Sequence, residues 1–245
     1  MAAKVLTFTP MPRIQAATLD FLSDLAANND RDWFQDNKSR YEAARENVAA
    51  FSQEILDRLR EHDQLETENG KKSLYRIYRD VRFSKNKLPY KTNFAGGYKC
   101  DGKLRRGGYY FHIVPEGIEN DWTDQTVVGG GFYGPERDDL KRLREELAAD
   151  GDTLREIISD KDFVRVFGEL QGDKLKTAPK GYPKDHPNID LLRYKNYYAF
   201  RDISRKQLLS AAAPDLFVEA FLTLRPFFDY FSDVLTTDAN GELIV

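Results

Sequence analysis

The stretch Ser73–Lys91, "SLYRIYRDVRFSKNKLPYK", sets six cations, Arg76, Arg79, Arg82, Lys85, Lys87 and Lys91, against one acid, Asp80. An arginine fork grips phosphate or carboxylate at two points, whereas lysine offers a compact point charge. Two unit charges about 5 Å apart, at an effective dielectric near 20, repel by roughly 3 kcal/mol, less where long side chains splay. Asp80 can neutralise one or two of the six, and an external oxyanion would relieve the remainder. The expected site is therefore an anion pocket. In it Arg76, Arg79, Arg82, Lys85, Lys87 and Lys91 hold the ligand, Tyr90 stands beside them, and Asp80 orients the arginines. The competing reading is a solvated basic face paired with the acidic remainder of the chain. Three of the first four cations are arginine, and Tyr75, Tyr78, Phe83 and Tyr90 interleave them, which favours the pocket. Tyr78 at least is expected to pack into the core.

Charge is spread unevenly. The 245 residues carry a net −3, yet Lys71–Arg106 holds 12 Lys/Arg against 2 acids, leaving 25 basic and 38 acidic residues elsewhere. That balance argues against a general nucleic-acid coat and for a local anionic partner. Three histidines are too few and too scattered for a metal centre, and G-x-S-x-G, H-E-x-x-H and C-x-x-C are all missing, so no metal or cofactor is expected. His112, in a strand among tyrosines, reads as a satisfied sheet residue. His186, beside Asp185 in "YPKDHP", is the acid–base candidate together with Asp80. Lys180 and Tyr182 of "APKGY" are assigned to the far wall of the pocket. "GYKCDGK" matches a phosphate loop only until Leu104 takes the place of the required Ser or Thr. "GGGFYG" matches a dinucleotide fingerprint, but Glu136, Asp138 and Asp139 crowd the following helix start and would repel a pyrophosphate. Close backbone approach explains those glycines better.

The elements that must position these residues follow from periodicity. Helices are predicted over Thr18–Ala27, ended by Asn28 and Asn29 in a left-handed cap, and over Ser39–Leu59, with a short turn between them capped by Asp30. "TNFAGGYKCDGKLRRGGYYFHIV" reads as a hairpin turning at Asp101-Gly102, "DQTVVGGGFYG" and "YKNYYAFRDIS" as strands, and "DKLKTAPKGYPKDHP" as loop. Further helices are predicted over Pro135–Ala149, Thr153–Ser159, Lys161–Leu170 and Pro214–Leu235. For residues 73–83 the spacing of Leu74, Ile77, Tyr78 and Val81 predicts a short helix capped by Ser73, although the β-branched and aromatic content fits a strand. On a helix Arg76 and Arg79 would be neighbours. The expected architecture is α+β: a single domain, 1–245, with a mainly antiparallel mid-chain sheet packed against N-terminal and C-terminal helices. One cysteine, no signal peptide at the start and no membrane-length apolar run place the chain, as an expectation, in a reducing cytoplasm.

"RIYRDVRF" followed by "KLPYK" resembles the motif R-x-x-R-D-x-R-F…K-x-P-Y-K of a bacterial family, the domain of unknown function 2461 family. "FLSDLAANNDRDWFQDNKSRYEAA" and "APKGYPKDHP" extend the resemblance along most of the chain. It implies that Arg76, Arg79, Asp80, Arg82, Phe83, Lys87 and Tyr90 carry the motif, with Asn86 where the family often has an acid. It implies no reaction. Three readings stand: an Arg/Lys-rich pocket for a phosphorylated or carboxylate small molecule, with or without acid–base chemistry; a nucleic-acid-binding module in which aromatic rings stack on bases; and a buried ion-pair network whose function lies at a partner surface. Membrane association is not expected, and oligomeric state is left open.

Overall fold

Alternating runs of amphipathic helix and strand organise the chain. The computed structural model describes residues 12–82, 85–100, 102, 104–120, 122–238 and 240–244. Helix α1 (Ala16–Ala27) buries Leu19, Leu22 and Leu25, and ends on Asn28 at φ −134°, whose side-chain amide donates to the Asp24 carbonyl. The Asn28 backbone amide donates to the Asp24 and Leu25 carbonyls as well, so the cap closes with no left-handed residue. Helix α2 (Arg31–Asp36) starts at Asp30, whose carboxylate accepts from the Asp32 and Trp33 amides at 3.0 and 2.9 Å. Asp30→Ala is expected to cost about 1 kcal/mol, read from the urea midpoint, because those amides lose their acceptor.

Helix α3 (Lys38–Leu59) presents Ala44, Val48, Phe51, Ile55 and Leu59 to the core. A single turn, α4 (Gly70–Ser73), capped by Asn69, leads into the basic stretch. Strands β1 (Phe94–Tyr98), β2 (Gly108–Ile113), β3 (Val127–Phe132) and β4 (Tyr197–Asp202) form one antiparallel sheet in the order β1-β2-β3-β4. The helices α5 (Arg137–Ala149), α6 (Asp152–Ser159), α7 (Lys161–Phe167) and α8 (Ile189–Leu192) join β3 to β4. After β4 come α9 (Arg205–Leu208), α10 (Ala213–Thr223) and α11 (Arg225–Thr236). The fold is the expected α+β arrangement. Among the described residues no helix is long and apolar enough to cross a membrane.

One sheet face carries Tyr98, Tyr109, Phe111 and Tyr197 onto Phe217 and Phe221 of α10 and Phe228 and Phe231 of α11. Each such ring taken fully from water contributes roughly 1.5–3 kcal/mol. The glycines of β3 make the sheet close tightly. A Cβ on Gly129 would collide with the Ala199 carbonyl, and one on Gly131, at φ +153°, with that of Tyr197. Close backbone approach, not a dinucleotide, accounts for "GGGFYG".

Two further local expectations are corrected. Residues 73–82 contain no helix beyond Ser73, because the backbone groups from Tyr75 onward are taken by neighbouring chain. Tyr75 N donates to Ala95 O at 2.9 Å, Arg79 N to Pro89 O at 2.9 Å, and Ile77 O accepts from Lys91 N at 2.7 Å. With the bridges Leu74↔Gly96 and Tyr78↔Tyr90, the stretch runs extended and antiparallel along β1 and the segment before it. The β-branched and aromatic content outweighed an apolar spacing of only four residues. The predicted helix Pro214–Leu235 is two helices that break at Leu224, because Pro226 has no amide hydrogen to continue the ladder. In the β1–β2 hairpin the last paired residues are Tyr98 and Tyr109. Gly102 takes φ +84°, while Asp101, the other half of the expected turn, lies outside the described residues, as do Phe83 and Ser84.

Candidate functional site

The sheet face away from the helices carries Tyr110 and His112 on β2 and Tyr198 and Phe200 on β4. It is partly overlaid by the β2–β3 connection through Trp122, whose indole meets Tyr110 at 5.3 Å, His112 at 5.6 Å and Phe200 at 5.2 Å between ring centroids. Where the basic stretch runs along the sheet edge, a cleft of about 310 Å³ opens between it and this face. Tyr75, Arg79 and Asp80 enter from the basic stretch, Lys91 and Asn93 from the segment before β1, and Tyr110 and His112 from β2, with Asn120 and Trp122 above. The extended conformation matters here, and it is not a regular pleat: regular alternation would put Tyr75, Ile77 and Arg79 on one side, yet Tyr75 and Arg79 line the cleft while Ile77 is buried in the core.

Electrostatics in the cleft run one way. Burial, then the neighbouring Arg76 and Arg79, hold Lys91 below the usual lysine value. Burial, then Lys91, push the His112 imidazole down to about 4. The one acid lining the cleft among the described residues, Asp80, is gripped by Arg82 through Nε to Oδ1 at 2.9 Å and Nη2 to Oδ2 at 2.6 Å, and that bond keeps its carboxyl below the ordinary range. His112 is only 3% exposed. Its Nδ1 lies 3.3 Å from both the Asn93 side-chain amide and the Tyr110 hydroxyl. The Asn93 amide can only donate, which makes Nδ1 the acceptor and puts the proton of the neutral ring on Nε2. That Nε2 is buried and has no partner among the described residues. A buried donor without an acceptor costs about 1–3 kcal/mol.

The expected site residues separate into groups. Arg79, Asp80 and Lys91 line the cleft, and Arg76 is close enough to depress Lys91. Arg82 is an exposed partner of Asp80, Lys87 reaches the Val81 carbonyl at 2.8 Å, and Lys85 is exposed away from the lining. Tyr90 is a packing residue, buried with its ring stacked on Phe34 at 3.9 Å. Tyr78, expected in the core, instead lies half outside, its ring 5.5 Å from that of Tyr90. Lys180, Tyr182 and His186 do not line the cleft. Tyr182 and His186 pack on each other, and His186 Nδ1 accepts from the Asn188 amide at 3.0 Å, next to α8. Much of the positive excess is consumed internally: Lys71 pairs with Glu46, Lys99 with Glu66, and Arg105 with Asp63 and Asp229. The buried ion-pair network is therefore centred on Asp63, not on the motif. His112 was missed, since its type and strand setting gave no hint of a donor left over; the basic segment facing it supplies that signal only in three dimensions. Among the described residues no cluster of His, Cys, Asp or Glu side chains is set to hold a metal ion.

The family described as a conserved hypothetical protein (DUF2461) matches residues 17–230. The chain belongs to that family. No curated protein and no solved structure matches it. The matched region includes all of the cleft, so whatever the family shares can extend to Arg79, Lys91 and His112 alike.

Proposed function

We propose that the protein binds a small phosphorylated or carboxylate molecule in the cleft between the basic edge and β2. Lys91 and Arg79 supply charge, and a small shift of the ring or its cover would bring the buried His112 Nε2 to the anion as a directed donor. The observation that carries this reading is the buried, unpartnered Nε2 beside Lys91, which burial and then Arg76 and Arg79 hold below the usual lysine value. An oxyanion oxygen there would satisfy the donor and relieve the repulsion in one step. Asp80 serves to hold Arg82. Of the two acid–base candidates, His186 lies away from the cleft, so proton transfer there would fall to Asp80 or to His112.

Thermal shift with inorganic phosphate and citrate at low ionic strength tests the reading. Both are expected to raise the Tm of the wild type. Lys91→Ala removes one charged contact and is expected to weaken binding about tenfold, whereas Lys206→Ala on the exposed α9 changes nothing. Absence of stabilisation at millimolar ligand, or full stabilisation in Lys91→Ala, overturns the proposal.

A further inference from the structure

The anion cleft does not stand alone. Beyond Tyr110 and Trp122 it continues into a second depression of about 580 Å³, within the size range of small-molecule sites. Rings follow one another across this face: Tyr75 lies 6.2 Å from Tyr110, Tyr110 5.9 Å from Phe200, Phe200 5.3 Å from Tyr198, and Tyr198 6.0 Å from Tyr133. Tyr75, Trp122 and Tyr133 are 52%, 44% and 71% exposed, so three large rings present faces or edges to water beside a floor of β3 glycine. Packing does not require that exposure. Exposed rings on the open face of an antiparallel sheet are a platform on which flat heterocycles stack.

Charge along this trough is positive in excess at the β1 end, where Arg82 holds Asp80, and of mixed sign at the β4 end. Arg79 and Lys91 lie at the β1 end. At the β4 end Asp202 lines the neighbouring depression, where Arg201 is already tied to Glu219 at 2.8 Å, and Asp173, itself 3.9 Å from Lys195, adds to the burial that raises the Tyr198 phenol. A polyanionic strand laid along the trough would meet those carboxylates. A ligand with one anionic head and an uncharged flat ring would not.

Building on the anion reading, we propose that the ligand is a flat heterocycle carrying a single phosphate or carboxylate head, of nucleoside-monophosphate size. Its head sits at Lys91, Arg79 and His112, and its ring lies over the second depression against Trp122. Trp122 belongs to both depressions, and so is the residue through which head and ring recognition meet.

The test uses the full chain in a Trp33→Phe background, so that fluorescence reports Trp122 alone. Titrations with AMP, orotate, adenosine and inorganic phosphate separate ring from head, and phosphate head from carboxylate. AMP or orotate is expected to bind at least about tenfold tighter than phosphate or adenosine, and to quench the indole. In a parallel calorimetric series with Trp33 intact, Trp122→Ala is expected to remove roughly tenfold of that advantage while leaving phosphate binding unchanged. Tyr133→Ala, at an exposed position, checks the same point without risk to folding. Equal affinity for AMP, orotate and phosphate with unquenched fluorescence overturns the ring component and leaves the anion site standing. Failure of phosphate, AMP and orotate alike removes both. Tighter binding of oligo(dA) than of AMP, falling steeply with salt, overturns the small-molecule reading in favour of single-stranded nucleic acid.

Discussion

Replacing Asp63 by Asn is expected to lower stability by about 3 kcal/mol, or a Tm drop of roughly 6–12 °C for a chain of this size. The Asp63 side chain has 0% exposure. Its Oδ1 takes Arg105 Nη2 at 2.6 Å, Arg225 Nη1 at 2.7 Å and its neighbour Gln64 N at 2.8 Å, while Oδ2 accepts the Tyr109 hydroxyl at 2.8 Å. One carboxylate thus joins the end of α3, the β1–β2 hairpin, β2 and the start of α11. Its charge also helps to push the Cys100 thiol up to about 11, after burial itself. An asparagine keeps the shape but turns one acceptor into a donor, so at least one guanidinium or the Tyr109 hydroxyl faces an amide hydrogen. Losing one partner of a buried ionic cluster costs about 3–5 kcal/mol. Both arginines keep about a quarter of their side chains in water, which sets the expectation at the lower end. Asp229→Asn removes an ion pair from the half-exposed side of the same network and is expected to cost under about 1 kcal/mol. Equal losses for the two variants in urea denaturation would show that the buried carboxylate has no special weight.

The outline of the fold was legible because its signals are local and repeated. Helix α3 advertises itself by five apolar positions at helical spacing, and Asp30 caps α2 from a position readable in the sequence. Ranges failed where a single residue or a distant partner decided. Pro226 alone divides the final helix. The basic stretch carries an apolar spacing that fits a helix, yet Ala95 and Pro89 carbonyls, far along the chain or on the return strand, claim its amides. The same limit governed the candidate site. Excess positive charge pointed to the edge where Arg79 and Lys91 line the cleft, but spacing could not tell which cations are answered internally. Arg105 looked no different from Lys91, although one is locked to Asp63 and the other faces a cleft. His112 and Trp122 meet the basic edge only because β2 and the loop after it fold across β1, and nothing in their neighbourhood along the chain announces that meeting.

The burial of His112 makes a second large effect measurable without knowing any ligand. Its folded value is about 4, against an ordinary 6.5. Above the ordinary value both folded and unfolded chains hold it neutral; between the two values the unfolded chain binds more protons, so stability falls as pH drops through that window. The loss reaches about 2.5 kcal/mol between pH 7 and pH 4.5. Carboxylates held low by partners, such as Asp190 beside Arg155 and Glu219 beside Arg165, lose stability in the same direction, so the wild-type slope alone does not isolate the histidine. The comparison with His112→Asn does. That variant keeps a polar side chain near Asn93 and Tyr110 but cannot titrate, and its loss over the same interval is expected to be smaller by about 2.5 kcal/mol, from urea midpoints at the two pH values. Lys91 is the charged neighbour that deepens the depression, so Lys91→Ala is expected to reduce the wild-type loss in part. An oxyanion bound at Nε2 acts the other way from Lys91, favouring the imidazolium and raising its value. Saturating phosphate should therefore shrink the acid loss in the wild type and leave that of His112→Asn unmoved. A wild-type acid limb that phosphate does not alter would separate His112 from the anion site, leaving its buried nitrogen a feature of packing alone.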